Sequence, residues 1–405
     1  MVLGLTHKQG QAKTGPTPDG LGSSLRVRRT PYTDRVIAAG ARRFTVVNHM
    51  LLARDFLQSR EEQYRHLNER VQIWDVSCQR QVEVRGPDAG ILIQTLTPRN
   101  ISGARPGHCL YIPVVDDKGF MVNDPILLVH GKDHFWLSVS DSDLELFAKG
   151  LAIGSGLNVS IREASIWPLA VQGPLAESLM VRVCGADVST LGFFRHRKFP
   201  VGDGAEVVSR TGYSRQDGFE IYVSRPDQGE AIWDRLVTAG RDLGVKAGGP
   251  NLPDRIEAGL LSYGNDMNRD TTPFELGLEH FCTLDGSIEF AGLRALRTMA
   301  GDFCSSANSG RPVQRIGGIR FGGPPCPPCS TPWSVLLSGV EIGLVTSAAW
   351  SPGLNQNIAL AMLLRQHLEP GQAVEVETPG GDRIPGEVAQ LPFRPRGRPA
   401  KVAGG

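Results

Sequence analysis

The chain is poor in the features that announce several common classes of protein. Cysteine is scarce, odd in number and scattered, seven in 405 residues. That excludes a secreted disulfide framework and predicts reduced thiols in a cytoplasmic protein. No apolar run approaches the length of a membrane span. The formal net charge is +1, so no field draws the chain to nucleic acid or to a membrane surface, and neither partner is expected. No H-x-x-x-H or H-E-x-x-H spacing falls on a helical segment, and no G-x-S-x-G elbow, phosphate-binding loop or dinucleotide fingerprint occurs. A metal centre, a hydrolase triad and a nucleotide fold are therefore without support. The C-P-P-C run from Cys326 to Cys329 has no second pair and no histidine pair beside it, and the Gly-Gly-Pro-Pro before it reads as loop. Ordinary reduced loop cysteines are expected there.

What is abundant is turn chemistry. Gly 48 and Pro 28 predict a strand-containing fold with many turns, and 405 residues exceed one ordinary core. Polar composition predicts disordered tails over residues 1–30 and 396–405. Between them, "EEQYRHLNERVQIWDVS" reads as helix into strand and "RQVEVRGPDAGILIQTLTPRNI" as strand then helix. "CLYIPVVDDKGFMVNDPILLVHGKDHFWLSVS" reads as three strands with turns at residues 116–119 and 131–133. "AIWDRLVTAGRDLGV" and "NLPDRIEAGLLSYGND" read as amphipathic helices, the second capped at Asn251. "RGPDAGILIQ" and "QGPLAESLM" both place Gly-Pro at a helix start after a strand; they fit a pseudo-repeat of an α+β unit and equally a common capping pattern. Composition changes near residue 305, after which strand and turn alternate. The expectation is an α+β region over 31–305 in two subdomains, then a β-barrel-like domain over 306–395.

Two short stretches bear on chemistry. In "GYSRQDGFEIYV", alternation puts Phe219, Ile221 and Val223 on one face of a strand and Glu220 and Tyr222 on the other. The first face reads as core. The second is either solvated, as is usual in an antiparallel sheet, or a site that needs a carboxylate beside a phenol. In "MVNDPILLV", Asp124 precedes Pro125 at the start of an apolar strand, where an aspartate taken alone reads as a turn or cap residue.

The segments "LYIPVVDDKGFMVNDPILL", "LAVQGP", "GYSRQDGFEIYV", "DRIEAGLLSYGND", "TPFELGLEHF" and "GLVTSAAWSP" together resemble the folate-binding aminomethyltransferase family. This is the family of the glycine cleavage T-protein and its demethylase relatives. The resemblance runs from about residue 30 to 395. "RTPYTDRV", "NHMLL", "HLNERVQIWDV" and "LSYGNDM" are similar to the dimethylsulfoniopropionate demethylase branch. The resemblance implies a three-domain cloverleaf around a tetrahydrofolate site. It implies methyl transfer from a small organic donor to N5 of tetrahydrofolate, with no metal and no lipoyl carrier protein as partner. It makes Asp124 the reaction-centre aspartate and Glu220 the acceptor for pterin N–H groups. Tyr222, Tyr111, Gln172 and Arg255 are then folate-pocket residues, with Glu257 at its border. Relatives that bind folate without methyl transfer keep a non-catalytic binding module as a second class of reading.

Two departures from the branch's wording bear on the donor. "VVNHM" carries Val47 where an aromatic is usual, and "GYSRQDG" carries Tyr213 in place of tryptophan. Aromatic faces bind onium groups, so both changes favour a flat aromatic donor. The family also contains O-demethylases of methoxylated aromatic acids. The expected donor is accordingly an aryl methyl ether such as a methoxybenzoate, its carboxylate paired with His49, Arg215 or His196. The alternative is dimethylsulfoniopropionate, with other aromatics such as Trp167 compensating.

Overall fold

The structure is a computed structural model that describes Ser24, residues 26–305 and residues 313–395. The tail expected over 396–405 lies outside the described residues, as does most of the one expected over 1–30. Arg28 already belongs to the fold: its amide donates to the His49 carbonyl at 2.6 Å, and its carbonyl accepts from Leu51 at 3.1 Å. Ordered chain thus begins before residue 31.

Period-two alternation builds two sheets. The first is antiparallel, in the order Ser160–Glu163, Arg80–Arg85, His134–Val139, Ile126–Gly131, Cys109–Tyr111. Val82, Val84, Leu127, Val129, Phe135 and Leu137 share its outer face and pack under helices Ala89–Leu96 and Leu144–Gly154. The second runs His196–Val201, Gly204–Ser209, Gly218–Val223, Trp167–Gln172, Gln72–Asp75, Lys246–Gly248, with only the last strand parallel to its neighbour. Phe219, Ile221 and Val223 are each 0% exposed beneath helices Ala176–Cys184 and Gly229–Ala239; burying such a side chain contributes about 1.5–3 kcal/mol. The inner faces meet through Cys109, Leu128 and Trp136 of one sheet and Val207 and Tyr222 of the other.

The two Gly-Pro openings are structurally equivalent. Gly86 and Gly173 sit at φ 137° and 128°, and a Cβ there would lie 2.4 Å from the Asn158 carbonyl oxygen and 2.3 Å from that of Arg70. Only glycine fits such a crossing. Pro87 and Pro174 stand one residue before the N-caps Asp88 and Leu175 rather than inside the helices. Two other expectations need correction. The three strands expected over 109–140 are five, because Pro113 and Pro125 lack the donors a continuous ladder needs and set off the ladder of Val114–Val115 with Met121–Asn123. The helix expected over "NLPDRIEAGLLSYGND" is only Leu252–Glu257; Asn251 caps it through the Asp254 amide, and Gly259 at φ 68° turns the chain away.

The C-terminal unit is a closed six-stranded barrel, in the order Gln314–Phe321, Gln356–Leu364, Val340–Ser351, Trp333–Leu337, Ala373–Glu377, Arg383–Ala389. The first strand pairs with both the second and the last, which removes the sheet edge. Among the described residues no helix is long and apolar enough to cross a membrane.

Candidate active site

The hairpin Arg43–Val47 with Met50–Asp55, both sheets, the irregular chain after Glu257 and the barrel enclose a cavity of about 1150 Å³. Asp124 faces it. Its Oδ2 accepts from the Tyr111 hydroxyl at 3.1 Å and its Oδ1 from Ser140 Oγ at 2.9 Å. Two asparagines hold the loop that carries Ser140. Asn123 donates to Ser142 Oγ at 2.8 Å. Asn48, at φ 48°, donates to the carbonyls of Cys78 and Ser140 at 2.9 Å each. Burial pushes the Asp124 carboxyl up to about 6, with the Ser140 and Tyr111 hydrogen bonds pulling the other way. That value suits a proton acceptor near neutral pH.

Glu220 presents a second carboxylate, 4% exposed, to the same cavity. Its Oε2 accepts from the hydroxyl of Thr211, and from that of Tyr222 at 3.4 Å. Aromatic rings of Tyr111, Tyr213, Tyr263 and Phe281 complete much of the wall. Tyr111 and Phe281 lie 5.5 Å apart between centroids. The Tyr213 hydroxyl donates to the Leu261 carbonyl at 2.7 Å, and burial pushes its phenol up to about 12.

The family described as the GCVT N-terminal domain matches residues 32–286, and the glycine cleavage T-protein C-terminal barrel domain matches 316–394. A dimethylsulfoniopropionate demethylase of Ruegeria pomeroyi is 44% identical over 89% of this chain and 96% of its own. The chain belongs to the aminomethyltransferase family. An aminomethyltransferase of Clostridium botulinum (strain Loch Maree / Type A3) is 31% identical over 77% of this chain and 83% of its own. The crystal structure of the glycine cleavage aminomethyltransferase of Bartonella henselae shares the fold, with a TM-score of 0.78 at 22% identity, covering 91% of this chain and 99% of that one.

Of the residues singled out in the sequence, Asp124, Glu220, Tyr111, Arg255, Val47 and Tyr213 line this family member's cavity. Tyr222 and Gln172 stand behind it. Tyr222 packs on Trp136 between the sheets, centroids 6.2 Å apart. Gln172 fills the space over Gly212 and Gly218, where a Cβ would lie 2.2 and 2.4 Å from its amide. It donates to the Thr211 carbonyl at 3.2 Å and accepts from Ser214 Oγ at 2.7 Å, which fixes the loop presenting Tyr213. Glu257 is also behind the wall, bound by Tyr64 at 2.7 Å and Ser351 at 2.5 Å.

Three expected donor-binding residues lie elsewhere. His49 is exposed on a hairpin turn at φ 64°. His196 is buried between the sheets against the Val129 carbonyl at 2.9 Å, and burial lowers its pKa. Arg215 is held by Asn68 and by Glu257 at 3.5 Å. Trp167, the compensating aromatic, packs beside Met50 and Leu52 and is absent from the wall. Cys329 and Pro328 touch the cavity from the barrel, and burial raises the Cys326 and Cys329 thiols to about 12 and 11. Sequence reading missed Ser140, Asn48 and Phe281.

Proposed function

We propose that this chain is a tetrahydrofolate-dependent demethylase whose donor is a small sulfonium acid of the dimethylsulfoniopropionate kind. The single observation carrying the reading is the convergence of Asp124 and Glu220 on one aromatic-walled cavity. The 44% identity to a dimethylsulfoniopropionate demethylase over almost the whole of both chains supports the donor class. The cavity's donor set fits a reduced folate. Glu220 offers the pterin edge a carboxylate able to accept two parallel N–H bonds, and Tyr111, Tyr213 and Phe281 offer apolar faces to its rings. When bound, tetrahydrofolate supplies the nucleophilic N5 that receives the methyl group.

The chain's own residues then have simple tasks. The walls hold donor and acceptor in line, so positioning supplies much of the rate. Asp124 takes up the proton that N5 releases as the methyl arrives, while Tyr111 and Ser140 fix its orientation. The sulfonium leaves as a neutral thioether and needs no acid.

The aryl methyl ether expected from Val47 and Tyr213 has less support. A departing phenolate wants a donor at its oxygen, but Tyr111 and Tyr213 give their protons to Asp124 and the Leu261 carbonyl. The rings that remain on the wall supply faces for an onium group. The test is anaerobic incubation with tetrahydrofolate and either dimethylsulfoniopropionate or methoxybenzoates, following 5-methyltetrahydrofolate by chromatography. Product with the sulfonium alone is expected. Product with the aryl ethers alone overturns the donor class, and folate binding without any product favours the binding-module reading.

A further inference from the structure

Three arginines line the cavity: Arg54, Arg255 and Arg315. Two are already neutralised, Arg255 by Asp266 at 2.9 Å and Arg315 by Glu279 at 2.7 Å. Arg54 lies on strand Met50–Asp55, where alternation puts Leu52 and Arg54 on one face. Both line the cavity and their neighbours Ala53 and Asp55 do not. Among the described residues Arg54 makes no ion pair. The adjacent Asp55 is taken by Arg60 at 3.4 Å and Arg43 at 3.8 Å. Burial and the like charges of Arg60 and Arg255 disfavour the Arg54 cation, Asp55 offsets them in part, and among the described residues no carboxylate pairs with it directly. Elsewhere the wall carries Asp124, Asp141 and Glu220, which repel an acid.

We propose that Arg54 is the residue of this cavity that binds the carboxylate of a ligand. This rests on the function proposed above, in which both ligands carry one: the acid end of the sulfonium donor and the glutamyl end of the folate. A guanidinium matches a carboxylate with two parallel N–H bonds.

The test is anaerobic titration calorimetry of wild type, Arg54→Met and Arg54→Lys. The ligands are tetrahydrofolate, tetrahydropteroate (the same molecule without glutamate), dimethylsulfoniopropionate and a trialkylsulfonium of equal bulk without an acid. Arg54→Met is expected to weaken one acid-bearing ligand roughly tenfold to a hundredfold while sparing its acid-free counterpart. Arg54→Lys should recover part of the loss. A loss seen with tetrahydrofolate and not tetrahydropteroate assigns Arg54 to the glutamyl end; a loss seen with dimethylsulfoniopropionate and not the plain sulfonium assigns it to the donor. Unchanged affinities, or equal losses for acid-free ligands, overturn the assignment alone. A wild-type protein that binds neither folate nor donor overturns the proposed function together with it.

Discussion

Replacing Asp124 by Asn is expected to abolish turnover and, at the same time, to stabilise the fold. The amide keeps the shape and removes the charge. Burial holds the wild-type carboxyl at about 6 against an ordinary value of about 3.9, and each pH unit of displacement is worth about 1.4 kcal/mol, so the ionised form carries a penalty of about 3 kcal/mol. Asp124 is only half-buried and opens on the cavity. Solvent there screens part of the penalty, which leaves an expected gain of about 1–2 kcal/mol for the amide. The sign follows from proton counting. The unfolded chain releases this proton at about pH 3.9 and the folded chain at about 6, so the folded state holds more protons between them and wild-type stability falls as pH rises. The gain on substitution is therefore about a third of its full value at about pH 4.5 and full at about pH 7.5. Urea unfolding at both pH values reads it, with 5-methyltetrahydrofolate formation measured alongside. A variant no more stable at the higher pH, or equally stabilised at both, refutes the claim that a desolvated charge sits at Asp124. A variant keeping more than about a hundredth of the wild-type rate refutes its role as proton acceptor.

Other substitutions probe other parts of the site. Glu220→Gln keeps the size and replaces one acceptor by a donor, so folate affinity should fall tenfold or more by equilibrium titration, roughly the worth of one charged hydrogen bond; unchanged affinity would remove Glu220 from the folate site. Tyr111→Phe deletes a donor that lowers the Asp124 pKa, so the acid limb of the pH–rate profile should move to higher pH, and an unmoved limb counts against this pairing. Asp266→Ala strands the buried Arg255 guanidinium, which also binds barrel Ser347 at 2.6 Å. Loss of one partner of a buried ion pair costs about 3–5 kcal/mol, and a melting temperature close to wild type would mean the junction with the barrel is held by other contacts.

What the sequence revealed and what it hid divide along a physical line. The alternation around Phe219 and Ile221 is local, and it correctly separated core from inner face. That the inner face is walled rather than solvated depends on Trp136 and Leu128 of the other sheet, which no local pattern encodes. Ser140 and Asn48 escaped notice because their roles are hydrogen bonds across the chain to Asp124 and Cys78. Phe281 ends a single 3-10 turn, Glu279–Phe281, too short to show a period. His49, Arg215 and His196 were singled out by side-chain type alone, and placement defeats them. His49 follows Asn48 through a turn with both residues at positive φ, which points it outward while Asn48 stays buried.

The two donor classes also predict opposite linkage at Asp124. With its carboxyl at about 6 in the free protein, a cation bound beside it favours the ionised form and lowers the pKa, whereas an anionic aromatic acid raises it. The acid limb of kcat/KM reports the free protein, and that of kcat reports the complex. For a sulfonium donor the kcat limb should therefore lie below the kcat/KM limb. Binding the donor then favours the ionised carboxylate that its own methyl transfer requires. A neutral ether would leave the two limbs together, and a methoxybenzoate would place the kcat limb higher. Measuring both limbs with whichever donor turns over separates these cases by direction, without reliance on the size of either shift. A kcat limb at or above the kcat/KM limb for a sulfonium would mean that the onium charge does not act on Asp124, and the assignment of this carboxylate to the reaction centre would fail.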